Sequence, residues 1–321
     1  KLAQLNVFSN FDVRYVPRDT IGAGDTLDIY VNAVLDKLYD SSFEMNATLK
    51  SNDQMGPGVA YSLSKRNAFG GAEKFTWKLF GSYEWQLGGT SDANNSLMNS
   101  YEMGTQFSVE LPRFVAPFVH RRHLRFPAST TFAINGDWQN RAKFFQRATV
   151  GLGITYKWHK FSNAIHELTV FNLDYNKLIS TTAEFDEIRN NNPALYVSMR
   201  DQFVPSASYT FTYNTAANHR NPIWMQFSIK EAGNLTSAIY AIGGEKFSKK
   251  DKELFSNPFA QYLKVTAEFH NHIKINNRML FAYRFFGGVV YSYGNSSTAP
   301  YADQFYVGGA NRIRGFTVRA L

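Results

Sequence analysis

The chain has no cysteine in its 321 residues, which excludes disulfides, thiol catalysis and cysteine-ligated zinc and is compatible with an oxidising envelope compartment. It also has no stretch near the roughly 18 consecutive apolar residues that a membrane-spanning helix needs. If the protein lives in a bilayer, it must cross as a closed barrel, because only helices and closed barrels satisfy their own backbone groups in lipid. No nucleophile elbow, Walker A loop, HExxH pair or dinucleotide fingerprint occurs, and no Ser/His/Asp set stands out by its spacing. The expectation is therefore a non-enzyme without a cofactor. No secretory leader stands at Lys1, so the numbering is expected to begin inside a longer precursor, with the chain truncated at both ends.

What is plentiful is aromatic. There are 28 Phe and 18 Tyr, yet the mean hydropathy is only -0.33 because apolar and polar residues are interleaved. The net charge of +8 suits an acidic partner such as nucleic acid or a lipopolysaccharide-coated surface. Charge alone does not choose between them, and nucleic acid is not expected as a partner.

Strict alternation is the strongest local signal. From Phe75 to Leu87 the residues Phe75, Trp77, Leu79, Tyr83, Trp85 and Leu87 alternate with Lys74, Thr76, Lys78, Ser82, Glu84 and Gln86, the period-two signature of a strand with one wet face. The pattern returns at Tyr101–Leu111, Phe132–Trp138, Ala148–Trp158, Ala207–Tyr213, Ile223–Ile229, Leu263–Phe269 and Met279–Tyr293. With Phe43–Leu49, Val59–Leu63 and a less regular run from Leu168 to Tyr175, about eleven strands are predicted. Many hold their pattern for ten or more residues, longer than the roughly five or six of a soluble sandwich, so a lipocalin-like soluble barrel is disfavoured. Aromatics near strand ends, such as Trp77 with Trp85 and Tyr291 with Tyr293, suit the two interfacial girdles of a membrane barrel.

The turns Arg66–Gly71 and Ile275–Asn277 are expected to face the periplasm, with longer loops outside. Two of those loops read as helical: Thr182–Gln202, and Gly244–Phe255 with its charge cluster at residues 249–253. The cluster reads first as a solvated helix face and second as a lipopolysaccharide contact. His270-Asn271-His272 places two imidazoles on one strand face but lacks a third metal ligand, so it is assigned to a periplasmic turn; His120–His123 reads as a basic turn near the membrane surface. Before the first long strand, Leu2, Leu5 and Val7 suit a helix end, Phe11–Tyr15 and Leu27–Val31 two strands, and Pro17–Asp25 a turn.

Three stretches carry a family resemblance. Gln4–Phe8 through Asp12–Tyr15 and Leu27–Ile29 resembles the end of a last POTRA domain. Arg66–Glu73 resembles the turn between barrel strands two and three. Gln304–Phe316, with its Arg314-Gly315-Phe316 tip, is similar to the sixth extracellular loop of the BamA/TamA outer-membrane assembly factors. The wording around Gly308–Arg319 most resembles the TamA-like branch of Bacteroidetes. The resemblance implies an all-β transmembrane barrel from residue 39 onward, preceded over residues 1–38 by a periplasmic POTRA end. Sixteen strands would complete it, about five of them after Leu321.

The resemblance also implies a function: insertion or export of unfolded outer-membrane clients through a lateral seam, in contact with lipid and lipopolysaccharide and with periplasmic or inner-membrane accessory proteins. The first barrel strand would be that seam. There Phe43, Met45, Ala47 and Leu49 are expected to face lipid, and Glu44, Asn46, Thr48 and Lys50 the lumen. The loop motif Gly308, Gly309, Arg314, Gly315 and Phe316 would fold into the lumen, its arginine pairing with carboxylates on strands twelve and thirteen. The different-class alternative on the same fold is a passive channel or surface adhesin.

Overall fold

A computed structural model describes residues 5, 7–17, 27–49, 54–86, 100–115, 127–141, 144–191, 196, 199–215, 219, 221–247, 249–250, 252–276 and 278–307. Two strands, β1 (Phe8–Pro17) and β2 (Leu27–Leu35), form an antiparallel hairpin of their own, in register Val13↔Val31. This is the predicted strand pair. The predicted helix end before it and the turn over 18–25 lie outside the described residues, apart from a single helical turn residue at Leu5.

The body is one antiparallel sheet of 11 strands in sequence order. Its strands begin with β3 (Tyr39–Leu49), β4 (Gln54–Lys65), β5 (Lys74–Gln86), β6 (Ser100–Leu111) and β7 (Ala128–Arg141). They continue with β8 (Phe145–Phe161), β9 (Ala164–Thr181), β10 (Gln202–Asn214) and β11 (Ile223–Ala232). After a two-residue hairpin outside the sheet, β12 (Glu253–Leu254) and β13 (Asn257–Pro258), come β14 (Tyr262–Lys274) and β15 (Leu280–Ser292). Each of the eleven predicted runs is one strand of this sheet. Among the described residues the sheet is open, β3 and β15 each pairing with a single neighbour.

The register keeps one chemistry on each face. Met45 lies opposite Val59, Tyr61 opposite Leu79, Trp77 opposite Phe107, Phe107 opposite Ile134 and Ile134 opposite Leu152. Further along, Phe211 pairs with Phe227 and Val265 with Val289. The other face carries Thr76↔Ser108, Gln106↔Asn135, Thr149↔Asn176, Thr210↔Ser228 and Gln226↔Glu268. A slip of one residue anywhere would exchange the faces, so the two patterns fix each other. Leu79, Ile134, Val150 and Val289 are exposed on the apolar face. An exposed apolar surface this broad marks a site of membrane or protein contact.

The less regular run in β9 has a structural cause. Ile154 pairs with Phe171 but Thr155 pairs with Thr169, so Val170 is an extra residue that shifts the alternation by one. The same bulge disturbs the pairing with β10 between Ser206 and Ser208. Bulges of this kind bend and twist the strand that carries them.

Arg66–Glu73 connects β4 to β5 and is built largely from its own groups. Ala68 N donates to the Glu73 carbonyl at 2.9 Å, Gly71 N to the Glu73 carboxylate at 2.8 Å, and Ala72 N to Asn67 Oδ1 at 2.9 Å. Asn67 and Ala72 hold positive φ beside Gly70. Hydrogen bonds from its own backbone and from Gly71, then the Arg113 guanidinium, hold the Glu73 carboxyl below its ordinary range despite burial. The turn at 275–279 lies at the same end of the sheet, as expected. So does the long link from β6 to β7, which the short-turn expectation did not include; its His120–His123 lies outside the described residues.

The outer-loop expectation is half corrected. Helix α1 (Ala183–Asn191) falls inside the predicted 182–202 segment. The second helix, α2 (Asn234–Ile242), lies upstream of the predicted Gly244–Phe255. Gly243 caps it and Gly244 turns away at φ +93, so the lysine-rich run follows the helix instead of forming its face. Residues 253–258 make the β12–β13 hairpin, with Phe255 and Ser256 at positive φ.

One strand inboard of the edge, the ladder has a gap. β4 pairs with β5 at Met55↔Trp85 and again at Gly58↔Ser82, with no pairing at Gly56 or Pro57. Pro57 has no N–H to contribute. A Cβ on Gly56 would stand 1.7 Å from the Tyr83 carbonyl oxygen. Gly56→Ala is therefore expected to destabilise the sheet by about 1–3 kcal/mol, the usual cost of overpacking. Gly287→Ala, where a Cβ meets nothing within 4 Å, should stay within about 0.5 kcal/mol. Urea unfolding followed by tryptophan emission compares the two.

Candidate functional site: a free edge strand and a latch on the polar face

The first predicted site, Phe43 to Leu49, lies in β3, an edge strand of the sheet among the described residues. Phe43, Met45, Ala47 and Leu49 pair with Tyr61, Val59, Pro57 and Met55 on the apolar side. Glu44, Asn46 and Thr48 lie on the other side, where Asn46 Oδ1 fills the space beside Gly58 and Thr48 Oγ1 donates to the Gly56 carbonyl at 3.3 Å. Lys50 lies outside the described residues. Every residue of β3 is exposed; Met45 and Leu49 reach 73% and 74%.

The two ends of β3 are held unequally. At its base Arg66 pairs with Asp36, stands 3.9 Å from Asp40, and donates its backbone N–H to the Leu38 carbonyl at 2.8 Å. This also ties the base to β1, because Asp36 N donates to the Val7 carbonyl at 2.8 Å. At its top β3 rests on Gly56-Pro57-Gly58, where the next ladder lapses.

The second predicted site, Gly308, Gly309, Arg314, Gly315 and Phe316, lies outside the described residues. The segment leading to it is described, and it returns across the polar face. Asp303 is its anchor. Its carboxylate accepts from Lys230 Nζ at 3.1 Å and from the Tyr262 hydroxyl at 2.5 Å, with Lys264 Nζ at 3.5 Å. Next to it Phe305 sits over Lys264, 5.1 Å from charge to ring centroid, and against Phe286 at 6.1 Å. A Cβ on Gly288 would strike the Phe305 ring at 2.5 Å, so the glycine makes room for it. Ala299 closes a small buried cluster with Val204, Ala232, Ala260 and Tyr262. Burial alone would raise the Asp303 carboxyl; the Lys230 charge, the Tyr262 and Lys230 hydrogen bonds and the Lys264 charge outweigh it and hold the carboxyl below its ordinary value.

Sequence reasoning missed this latch. Its parts are 73 residues apart between Lys230 and Asp303. The available signal was the parity of Lys230 and Lys264, which fall on the polar face near the long-loop ends of β11 and β14. His270 lies within β14, not in the turn below it; its Nε2 is 2.6 Å from Glu268 Oε1, which also accepts from Arg284 at 2.6 Å. What the geometry offers is a strand edge for pairing and a charged fastening for the segment after β15.

An antiparallel sheet of long strands, apolar on one face and polar on the other, has the pattern of the wall of a membrane-spanning barrel. No protein-family profile matches the chain, and no curated protein matches it. Among solved structures, BamA from Haemophilus ducreyi lacking POTRA domains 1–3 is similar over 100% of this chain and 53% of its own, with a TM-score of 0.64 and 13% identity. CdiB from Escherichia coli is similar over 98% of this chain and 51% of its own, with a TM-score of 0.49 and 12% identity. The chain thus spans about half the length of the structures it resembles. At that identity the likeness shows the fold alone, an open antiparallel sheet like part of the BamA structure.

The latch makes a prediction about acid. A carboxyl whose folded value is depressed contributes stability above its unfolded value of about 3.9 and loses it as pH falls through the folded value. The stability advantage of the parent over Asp303→Asn is expected to be about 1–3 kcal/mol at neutral pH, constant down to about pH 5, and to vanish in stronger acid. Unfolding midpoints of both proteins across pH give the difference directly.

Proposed function

We propose that this chain is the wall of a bacterial outer-membrane barrel that inserts or translocates other proteins at the edge of β3. The observation that supports the reading is the build of β3: at an edge of the sheet among the described residues, fastened at its base by Arg66 and adjoining a gap in the next ladder at its top. An incoming client strand adds to it by backbone pairing, the general mode of β-augmentation. Phe43, Met45, Ala47 and Leu49 then present the lipid-facing side of the new ladder, and Glu44, Asn46 and Thr48 the lumen side. No cofactor or catalytic side chain is needed, because burial of client strands in lipid with their backbone groups paired supplies the free energy.

In the same reading residues 1–38 end a periplasmic POTRA domain, and residues 39–321 belong to the barrel. The resemblance around Gly308–Arg319 supports the TamA-like branch of Bacteroidetes, and Arg314 with Gly308, Gly309, Gly315 and Phe316 would fold into the lumen beyond the Asp303 latch. Clients are unfolded outer-membrane proteins, with lipid and lipopolysaccharide around the wall and accessory proteins on the periplasmic or inner-membrane side.

The test is photo-crosslinking in cells with a reactive amino acid placed singly at Phe43, Met45, Ala47 or Leu49, followed by mass spectrometry of the adducts. Adducts to several nascent outer-membrane proteins are expected. Adducts only to lipid and to the protein's own strands would replace this reading with a sealed channel or adhesin. The lipid-facing assignment has its own check. Val150→Arg, in the middle of the apolar face, should cost about 2–4 kcal/mol in a bilayer; a cost near zero would place that face in water.

A further inference from the structure

Helix α2 and the β12–β13 hairpin sit on the outward side of the sheet at its long-loop rim. The Tyr240 ring stacks on Phe259 at 6.4 Å, and Phe259 is bridged to Phe203. Phe203 in turn stacks on Tyr175 at 4.5 Å and meets Phe255 edge-on at 5.8 Å. Tyr175 pairs with Val150, so this aromatic row is continuous with the apolar face.

The helix has one side locked and one side free. Thr236 and Ser237 are buried, with Ser237 Oγ donating to Gln261 Oε1 at 3.1 Å. Asn234 Oδ1 accepts from the Tyr293 hydroxyl at 2.8 Å and from Gln261 Nε2 at 3.2 Å. On the opposite side Leu235, Ile239 and Ile242 form a stripe at i, i+4 and i+7. They are exposed, Ile239 by 61% and Ile242 by 88%, and Phe255 stands exposed beside the same row. Lys246, Lys249 and Lys250 follow the helix in solvent, Lys249 paired with Glu245 at 2.7 Å. An apolar stripe bordered by long basic side chains is the pattern of a helix lying in a bilayer interface.

We infer that α2 is an interfacial lipid anchor, with Leu235, Ile239 and Ile242 inserted into the acyl boundary of the outer leaflet and Phe255 extending the aromatic girdle beneath it. The occupant of the stripe is lipid because the stripe continues the apolar face of the sheet; the inference therefore rests on the reading that this face meets lipid. Its consequence is that the loop from β11 to β14 is part of the barrel's grip on the membrane instead of a free surface loop.

The lack of cysteine allows a direct test. Ile239→Cys, Ile242→Cys, Val150→Cys and Lys250→Cys are each labelled with an environment-sensitive fluorophore, checked for parental tryptophan emission, and reconstituted in phosphatidylcholine bilayers. A doxyl nitroxide high on the acyl chain is then compared with aqueous iodide as quencher. Labels at 239 and 242 are expected to lose about half their emission to the doxyl lipid and little to iodide. The label at 150 should also be shielded from iodide, and the label at 250 should be quenched by it. If labels at 239 and 242 follow the one at 250 while the one at 150 stays shielded and lipid-quenched, the anchor is overturned and the barrel reading survives. Shielding of 239 and 242 from both quenchers would overturn it too, since protein would then cover the stripe. A label at 150 that iodide reaches would overturn both readings together.

Discussion

A β-sheet must give every backbone N–H and C=O a partner, and the two outermost strands of an open sheet can do so on one side only. In water the unmet groups bond to solvent; against lipid they have nothing. The rest of this molecule is arranged around that constraint. Among the described residues nine strands are paired on both sides, their side chains sorted so that one face is almost wholly apolar, and β3 and β15 stand at the edges. The sorting by face and the pairing by backbone are one requirement seen twice, since the register that joins Tyr61 to Leu79 also joins Ser62 to Lys78.

This explains which parts of the fold were legible in the sequence. Alternation such as Phe75 to Leu87 is visible without any partner strand, because each residue declares its own side. Where Val170 inserts an extra residue, the declared sides change midway and the run looks irregular, although β9 is the longest strand of the sheet. Helix α2 was misplaced for a related reason. Its nine residues, Asn234–Ile242, are mostly small or apolar, and they follow β11 after Gly233 alone. The charged run after Gly244 looked more like a surface helix than the helix itself did.

The candidate site divides in the same way. The edge strand could be read from order and pattern, because it is the first long strand of the series. The Asp303 latch could not, since nothing local marks one aspartate in a loop as the partner of Lys230 and Lys264. Long-range ion pairs are made by topology, and topology is what alternation leaves open. A carboxylate near two ammonium groups and a phenol on the polar side of the wall is also less screened than the same pair on an open surface, so it fastens the chain there despite the cost of burying charge.

The interrupted ladder at Gly56 and Pro57 gives the wall an uneven seam strength. Below it, β4 is stitched to β5 from Lys65 up to Gly58 without a break; above it, only Met55 and Gln54 rejoin the neighbour. The Arg66 clamp and the unbroken run of pairs therefore hold the same lower half of these strands, and the gap divides that half from the two paired positions at the top.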